Sequence, residues 1–190
     1  MKQTPLSFVT DFLMNHEGGY QNMREDNGNW FSPVRYAKNL PQRRGEGNLL
    51  GTKYGVTPAT LASYLKRVNI TVDDMKNLSI STASAIAYQL YYEKPKISLL
   101  KWHRGTAAVF DHGYMSGPTV SIKLMRRIVG VDDDGNIGPK TIAAFNAMDE
   151  ATFAAKFRDS RIAFFSKLAS NEGPKDPDKK FLTGWINRAN

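Results

Sequence analysis

Two carboxylates are the natural starting point. Glu17 stands in the run His16-Glu17-Gly18-Gly19-Tyr20, and Asp26 follows in Glu25-Asp26-Asn27-Gly28. Cleavage of a glycosidic bond needs such a division of labour. One carboxyl gives a proton to the leaving oxygen, and the other activates water or steadies the cationic transition state. Two acids alone are a weak signal, because carboxylates commonly sit on surfaces or cap helices. Asp11 and Glu25 compete for the second role. Asp11 falls on the far side of its helix from Val9 and Leu13 and is set aside. Downstream, Gly51-Thr52-Lys53-Tyr54-Gly55-Val56-Thr57 supplies a hydroxyl, Thr52, that could hold a water against Asp26. Trp30, in the loop between the acids and Thr52, is the tryptophan best placed to stack on a ring; Trp102 and Trp185 read as packing residues.

These groups need a scaffold. Thr4-Pro5 reads as an N-cap followed by proline in the first helical position, and Phe8, Val9, Phe12 and Leu13 recur at helical spacing. Gly18-Gly19 should end that helix and leave Glu17 on its last turn. Residues 21–53 are rich in Asn, Gly, Pro and Arg and have little periodicity, which predicts loops with room for short strands. Thr57-Pro58 opens a second helix in the same way as Thr4-Pro5. Further helices are predicted at 73–77, 81–93, 104–115, 118–129, 139–147 and 150–170, with a Pro- and charge-rich connector, NEGPKDPDKK, before FLTGWINRAN. The class is mainly α, with a small irregular or β lobe near residues 20–57.

The chain has 190 residues, with 26 Lys+Arg against 18 Asp+Glu and no cysteine. The absent thiols exclude disulfides, a cysteine nucleophile and Cys-ligated metal. The charge of +8 fits nucleic acid, an anionic membrane surface or an acidic envelope polymer. No recognition helix or RNP pattern supports specific nucleic-acid binding. His16-Glu17 fails the H-E-x-x-H zinc pattern, because Tyr20 occupies the second His position. His103 and His112 show no ligand-like spacing to His16. Asp132-Asp133-Asp134-Gly135-Asn136 suggests a calcium loop, but the sixth and twelfth positions hold Ile137 and Ala143 where Gly and Glu are required. Asp111 reads as a paired or capping acid. The last long helix sets Lys156, Arg158, Arg161 and Lys167 beside Phe153, Phe157, Phe164 and Phe165. That pattern suits packing of the Phe side onto the domain, with membrane disturbance as the rival. The start of the chain, with Asp11 in its only apolar stretch, does not read as a signal peptide.

The ordered set of motifs resembles glycoside hydrolase family 108, the phage and prophage N-acetylmuramidases. It rests on E-G-G-Y at Glu17–Tyr20, the Glu-x8-Asp spacing to Asp26, Thr52 within GTKYGVT, Phe110-Asp111 with Gly117, and V-D-D-D-G-N-I-G-P-K-T at 131–141. The Glu, Asp and Thr are also similar to the catalytic group of T-even phage lysozymes. The chain departs from these relatives by an insertion between Asp26 and Thr52.

The resemblance implies a lysozyme-like catalytic region at 1–118, with Glu17, Asp26 and Thr52 catalytic and Tyr20, Trp30 and Tyr54 binding substrate. It implies a helical, peptidoglycan-binding region at 119–190 and no metal or organic cofactor. The expected activity is that of an endolysin, hydrolysing the β-1,4 bond between N-acetylmuramic acid and N-acetylglucosamine with inversion. The expected partner is the peptidoglycan glycan strand, with an anionic envelope surface as an accessory and no specific nucleic acid. A monomer is expected, made in the cytoplasm and acting on the wall after holin-dependent release. The alternative readings are a non-catalytic wall-binding or secretion-associated protein and a basic nucleic-acid-binding protein. The basic residues Arg35, Lys38, Arg43, Arg44 and Lys53 would border the site and draw it to an anionic wall.

Overall fold

The computed structural model describes residues 3–171 and 182–189; the expected connector lies outside them after Asn171. Within residues 1–89, a first unit contains α1 (Pro5–His16), β1 (Trp30–Phe31), α2 (Pro33–Ala37), β2 (Asn48–Leu49), α3 (Pro58–Leu65), α4 (Val72–Lys76) and α5 (Ile80–Tyr88). A second unit begins at Leu90 and contains α6 (Arg104–Ser116), α7 (Pro118–Ile128), α8 (Pro139–Ala147), α9 (Glu150–Asn171) and α10 (Leu182–Ala189). The fold is mainly α, with one two-stranded sheet among the described residues. No described helix is long and apolar enough to cross a membrane.

Three helices of the first unit start by the same device. The hydroxyls of Thr4, Ser32 and Thr57 accept from the backbone N–H groups of Ser7, Arg35 and Thr60, and the next residue is proline each time. Proline fits there because its missing N–H would have had no helical partner. Ser7 also accepts from the backbone of Thr4 at 3.0 Å, completing a capping box on α1. The apolar face of α1, Val9, Phe12 and Leu13, is buried and packs on α5, which contributes Ala83, Ile86 and Ala87. The first turn of α2 was not expected: the loop-like composition of 21–53 conceals a Ser32-Pro33 start.

In the second unit α6 packs on α7 and α9, and α10 on α9. Phe110, Phe145, Phe153 and Phe157 are at most 1% exposed. A Cβ on Gly105 would lie 2.4 Å from the Phe153 ring, so only glycine permits this start of α6. Asp111 accepts from Arg161 at 2.8 Å, a pair in which Arg161 is 3% exposed. Phe153, Phe157 and Phe165 of α9 are core residues and Phe164 is half-buried, so the Phe side of the helix covers the unit and is not free for a membrane.

The acidic loop is closed by an arginine. Buried Arg126 donates to the backbone carbonyls of Asp132 and Asn136, to the Thr141 hydroxyl and to the Asp134 carboxylate. Arg127 pairs with Asp133. A guanidinium fork thus occupies the centre of a loop that superficially suggested calcium. The two units meet in sequence at Gln89/Leu90, whereas the motifs change character near residue 118. Helix α6 therefore carries motifs of the first region and packs in the second unit.

Candidate active site

Helix α1 stops at His16, and Glu17 turns to extended backbone (φ −105°, ψ 137°) while its N–H still donates to Leu13. The side chain is half-buried. Gly18 and Gly19 do not end the helix through a left-handed turn, since neither has positive φ. A Cβ on either would meet nothing within 4 Å. Packing therefore does not require glycine beside Glu17, and open backbone is left there. His16 tilts its ring on Phe12 at 5.4 Å and is exposed.

The segment after Glu17 is sewn to the segment around Thr52. Gly18 accepts from the Tyr54 N–H at 3.0 Å, and the backbones of Gln21 and Thr52 exchange two hydrogen bonds of 2.9 and 2.8 Å. Asp26 caps the 3-10 turn Asn27–Asn29, with Oδ1 accepting from the Gly28 N–H at 2.8 Å and Oδ2 from the Gln21 amide at 3.2 Å. Gly28 in turn offers its carbonyl to the Thr52 hydroxyl at 3.5 Å. Asp26 and Thr52 thus converge on one residue, although they lie 26 positions apart in the chain. Each carboxylate oxygen has capacity for a second hydrogen bond, so the cap does not exhaust Asp26.

The insertion is looped out as an ordered lobe. Its two ends are joined where the Asn29 carbonyl accepts from both Leu50 and Gly51, and β1 pairs antiparallel with β2, Trp30 opposite Leu49 and Phe31 opposite Asn48. Gln42 accepts from the Ser32 N–H, and Arg35 pairs with Glu46 at 2.9 Å. Gly47 (φ 84°) and Gly51 (φ 81°) are required: a Cβ would lie 2.2 Å from the Phe31 carbonyl oxygen in one case and 2.5 Å from the Tyr20 ring in the other. Among the described residues, no group of three or more His, Cys, Asp or Glu could hold a metal ion.

The family model for glycosyl hydrolase 108 matches residues 10–117, more than half of the chain. The chain belongs to glycosyl hydrolase family 108. In this family 108 protein, residues 120–190 match a second model, described as a predicted peptidoglycan domain. A solved structure, that of Brucella abortus SagA, is similar at a TM-score of 0.69 and 26% identity, over 97% of this chain and 88% of that one. No curated protein matches. Together these findings support a glycoside hydrolase that acts on peptidoglycan.

The candidate site of this family 108 protein includes residues that the sequence did not advertise. Gln21 and Asn29 form a reciprocal amide pair (2.7 and 3.1 Å), and Asn29 is fully buried. The amide orientation of Gln21 is fixed by its neighbours, since its oxygen accepts from the Met23 N–H and its nitrogen faces the Asp26 carboxylate. No local pattern marks this pair, because its purpose is to close a loop. The aromatic candidates are already engaged. Tyr20 donates its hydroxyl to the Leu50 carbonyl at 3.2 Å and lies over Gly51. Trp30 donates its indole N–H to the Arg24 carbonyl at 3.0 Å and is half-buried. Tyr54 holds a left-handed backbone (φ 51°), costly for a bulky residue, at the point where its N–H meets Gly18.

Proposed function

We propose that this family 108 hydrolase is a muramidase, cleaving the β-1,4 bond between N-acetylmuramic acid and N-acetylglucosamine. Glu17 is the general acid. Asp26 is the base or electrostatic stabiliser, and Thr52 places the water. The observation that carries this reading is the shared attachment of Asp26 and Thr52 to Gly28, with the backbone around Thr52 bonded to Gly18 and Gln21 of the segment after Glu17. Tyr20, Trp30 and Tyr54 flank the sugar path. The open space at Gly18 and Gly19 lets a glycan approach the backbone next to the acid. The reaction inverts the anomeric centre, with water between Asp26 and the sugar. In the cell the protein acts on the wall after release, as an endolysin does, and residues 119–190 hold it there.

Glu17→Gln keeps size and polarity but cannot donate the proton. Clearing of a purified wall suspension should fall by about 10²–10⁴-fold. Mass spectrometry of wild-type digests should show muramic acid at the new reducing ends, and NMR of fresh product should show the α anomer first. Wild-type clearing by Glu17→Gln would end the hydrolytic assignment to this residue. Reducing-end glucosamine would overturn the bond assignment, and free peptide stems would indicate an amidase or peptidase instead.

A further inference from the structure

The catalytic reading leaves a groove in the second unit unused. It has two adjoining lobes, of about 190 and 360 Å³, that share Lys94, Pro95, Pro118 and Thr119. Its walls are the turn after residues 89–93, the start of α7 and the loop at 135–137. Buried Ile122 and Ile137 form the floor.

The groove is charged on one side only. Lys94 and Lys96 line it, both are exposed, and neither is in an ion pair among the described residues. No carboxylate lines it. Two acids of the neighbouring loop are already paired, Asp133 with Arg127 and Asp134 with Arg126. Two backbone features hold its rims. Lys96 keeps a left-handed conformation (φ 65°, ψ 20°), which a non-glycine residue retains only where its surroundings impose it. Gly135 (φ 82°) brings the loop so close to α7 that a Cβ would lie 2.9 Å from the Thr119 methyl. Any other residue would lift the loop and widen the groove.

We infer, building on the peptidoglycan reading above, that this groove binds the acidic peptide stem of peptidoglycan rather than its sugars. Two ammonium groups seek carboxylates, which the stem carries and a neutral glycan lacks. The prolines and isoleucines offer apolar contact for alanine methyls, while Thr119 and Asn136 offer a hydroxyl and an amide to the peptide backbone. The site straddles the two family matches. Both lysines fall within residues 10–117, and Asn136 and Ile137 within 120–190. The predicted peptidoglycan domain alone therefore lacks the cations that recognise the stem.

The test is calorimetry on the full-length protein with three probes: the tripeptide L-alanyl-γ-D-glutamyl-meso-diaminopimelate, chitotetraose and inorganic phosphate. The tripeptide should bind, less tightly at raised salt. The double variant K94Q/K96Q should weaken it about three- to tenfold, while K94R/K96R retains it and chitotetraose affinity stays the same in all forms. No tripeptide binding to the wild type, or equal binding by K94Q/K96Q, overturns the inference. Phosphate binding as tight as the tripeptide would also overturn it, leaving only a general anion patch. No bond is cleaved in this measurement. Lysine-dependent binding by a protein that fails to cut walls would sink the hydrolase reading alone, and cutting without lysine-dependent binding would sink only this one.

Discussion

Gln21 donates its side-chain amide to Asp26 at 3.2 Å while its own backbone pairs with Thr52. One residue outside the expected catalytic set therefore sets the position of two members of it. Gln21→Leu keeps the volume and removes both amide functions. Turnover should fall by about 10- to 100-fold through misplacement of Asp26. Stability should fall by about 1–3 kcal/mol, because the buried Asn29 side-chain oxygen loses its Gln21 donor while its nitrogen keeps only the Met23 carbonyl. Wall clearing corrected for the folded fraction separates the two effects; an unchanged corrected rate would leave Gln21 with a structural role only.

The glycines of the site should divide into two classes. Gly51→Ala faces both positive φ and a Tyr20 contact, and should cost more than about 2 kcal/mol by denaturant titration. Gly19→Ala meets neither obstacle and should change stability by less than about 1 kcal/mol. If the open space beside Glu17 admits the glycan, Gly19→Ala should nevertheless slow wall hydrolysis. Full activity in that variant would remove substrate approach as the reason for the glycine.

His112 should make the protein acid-sensitive. It is fully buried among Phe157, Phe164 and Phe165, and neither ring nitrogen meets a partner among the described residues. Burial, with a smaller contribution from the Arg161 charge, lowers its pKa to about 3. The unfolded chain takes up a proton as pH falls through ~6.5, and the folded protein does not until about 3. Stability from this group is thus full above neutrality and declines as pH falls between those values, by at most about 1.4 kcal/mol per pH unit. Melting curves of His112→Leu should show a shallower acid slope than wild type. An identical slope would assign the acid response to other groups.

Arg126 should be indispensable to the acidic loop. Arg126→Met leaves the carbonyls of Asp132 and Asn136 and the Asp134 carboxylate without their shared donor, and should cost about 3–5 kcal/mol. Calcium should not raise the melting temperature of the wild type, because the guanidinium already fills the loop. A calcium-dependent rise of several degrees would contradict this reading of the loop.

The legible parts of this protein were the local ones. Helix starts are written in adjacent residues, so Thr4-Pro5 and Thr57-Pro58 could be read directly, and the four Phe residues of α9 announced a packed face. Ser32-Pro33 carries the same mark, but the Gly- and Asn-rich surroundings concealed it. Asp111 was legible as a paired acid, while its partner Arg161, 50 residues away, was not. The Gln21–Asn29 pair was illegible for the same reason: amides in a turn-rich segment look like turn formers until the chain closes on itself. In the sequence, the insertion before Thr52 separates the catalytic candidates. Its ends in fact meet at Asn29, so its length scarcely matters to the geometry of Asp26 and Thr52.

The placement of α6 bears on how such proteins can be recombined. A fusion made at the junction of the two family matches would keep α6 with the hydrolase half and hand α7 to α9 to a new owner. Asp111 would then face no Arg161, and α6 would lose the two helices it packs on. Swapping wall-targeting parts between such enzymes, in the laboratory or by gene exchange, should succeed only with crossover points near residue 89 and fail near residue 118.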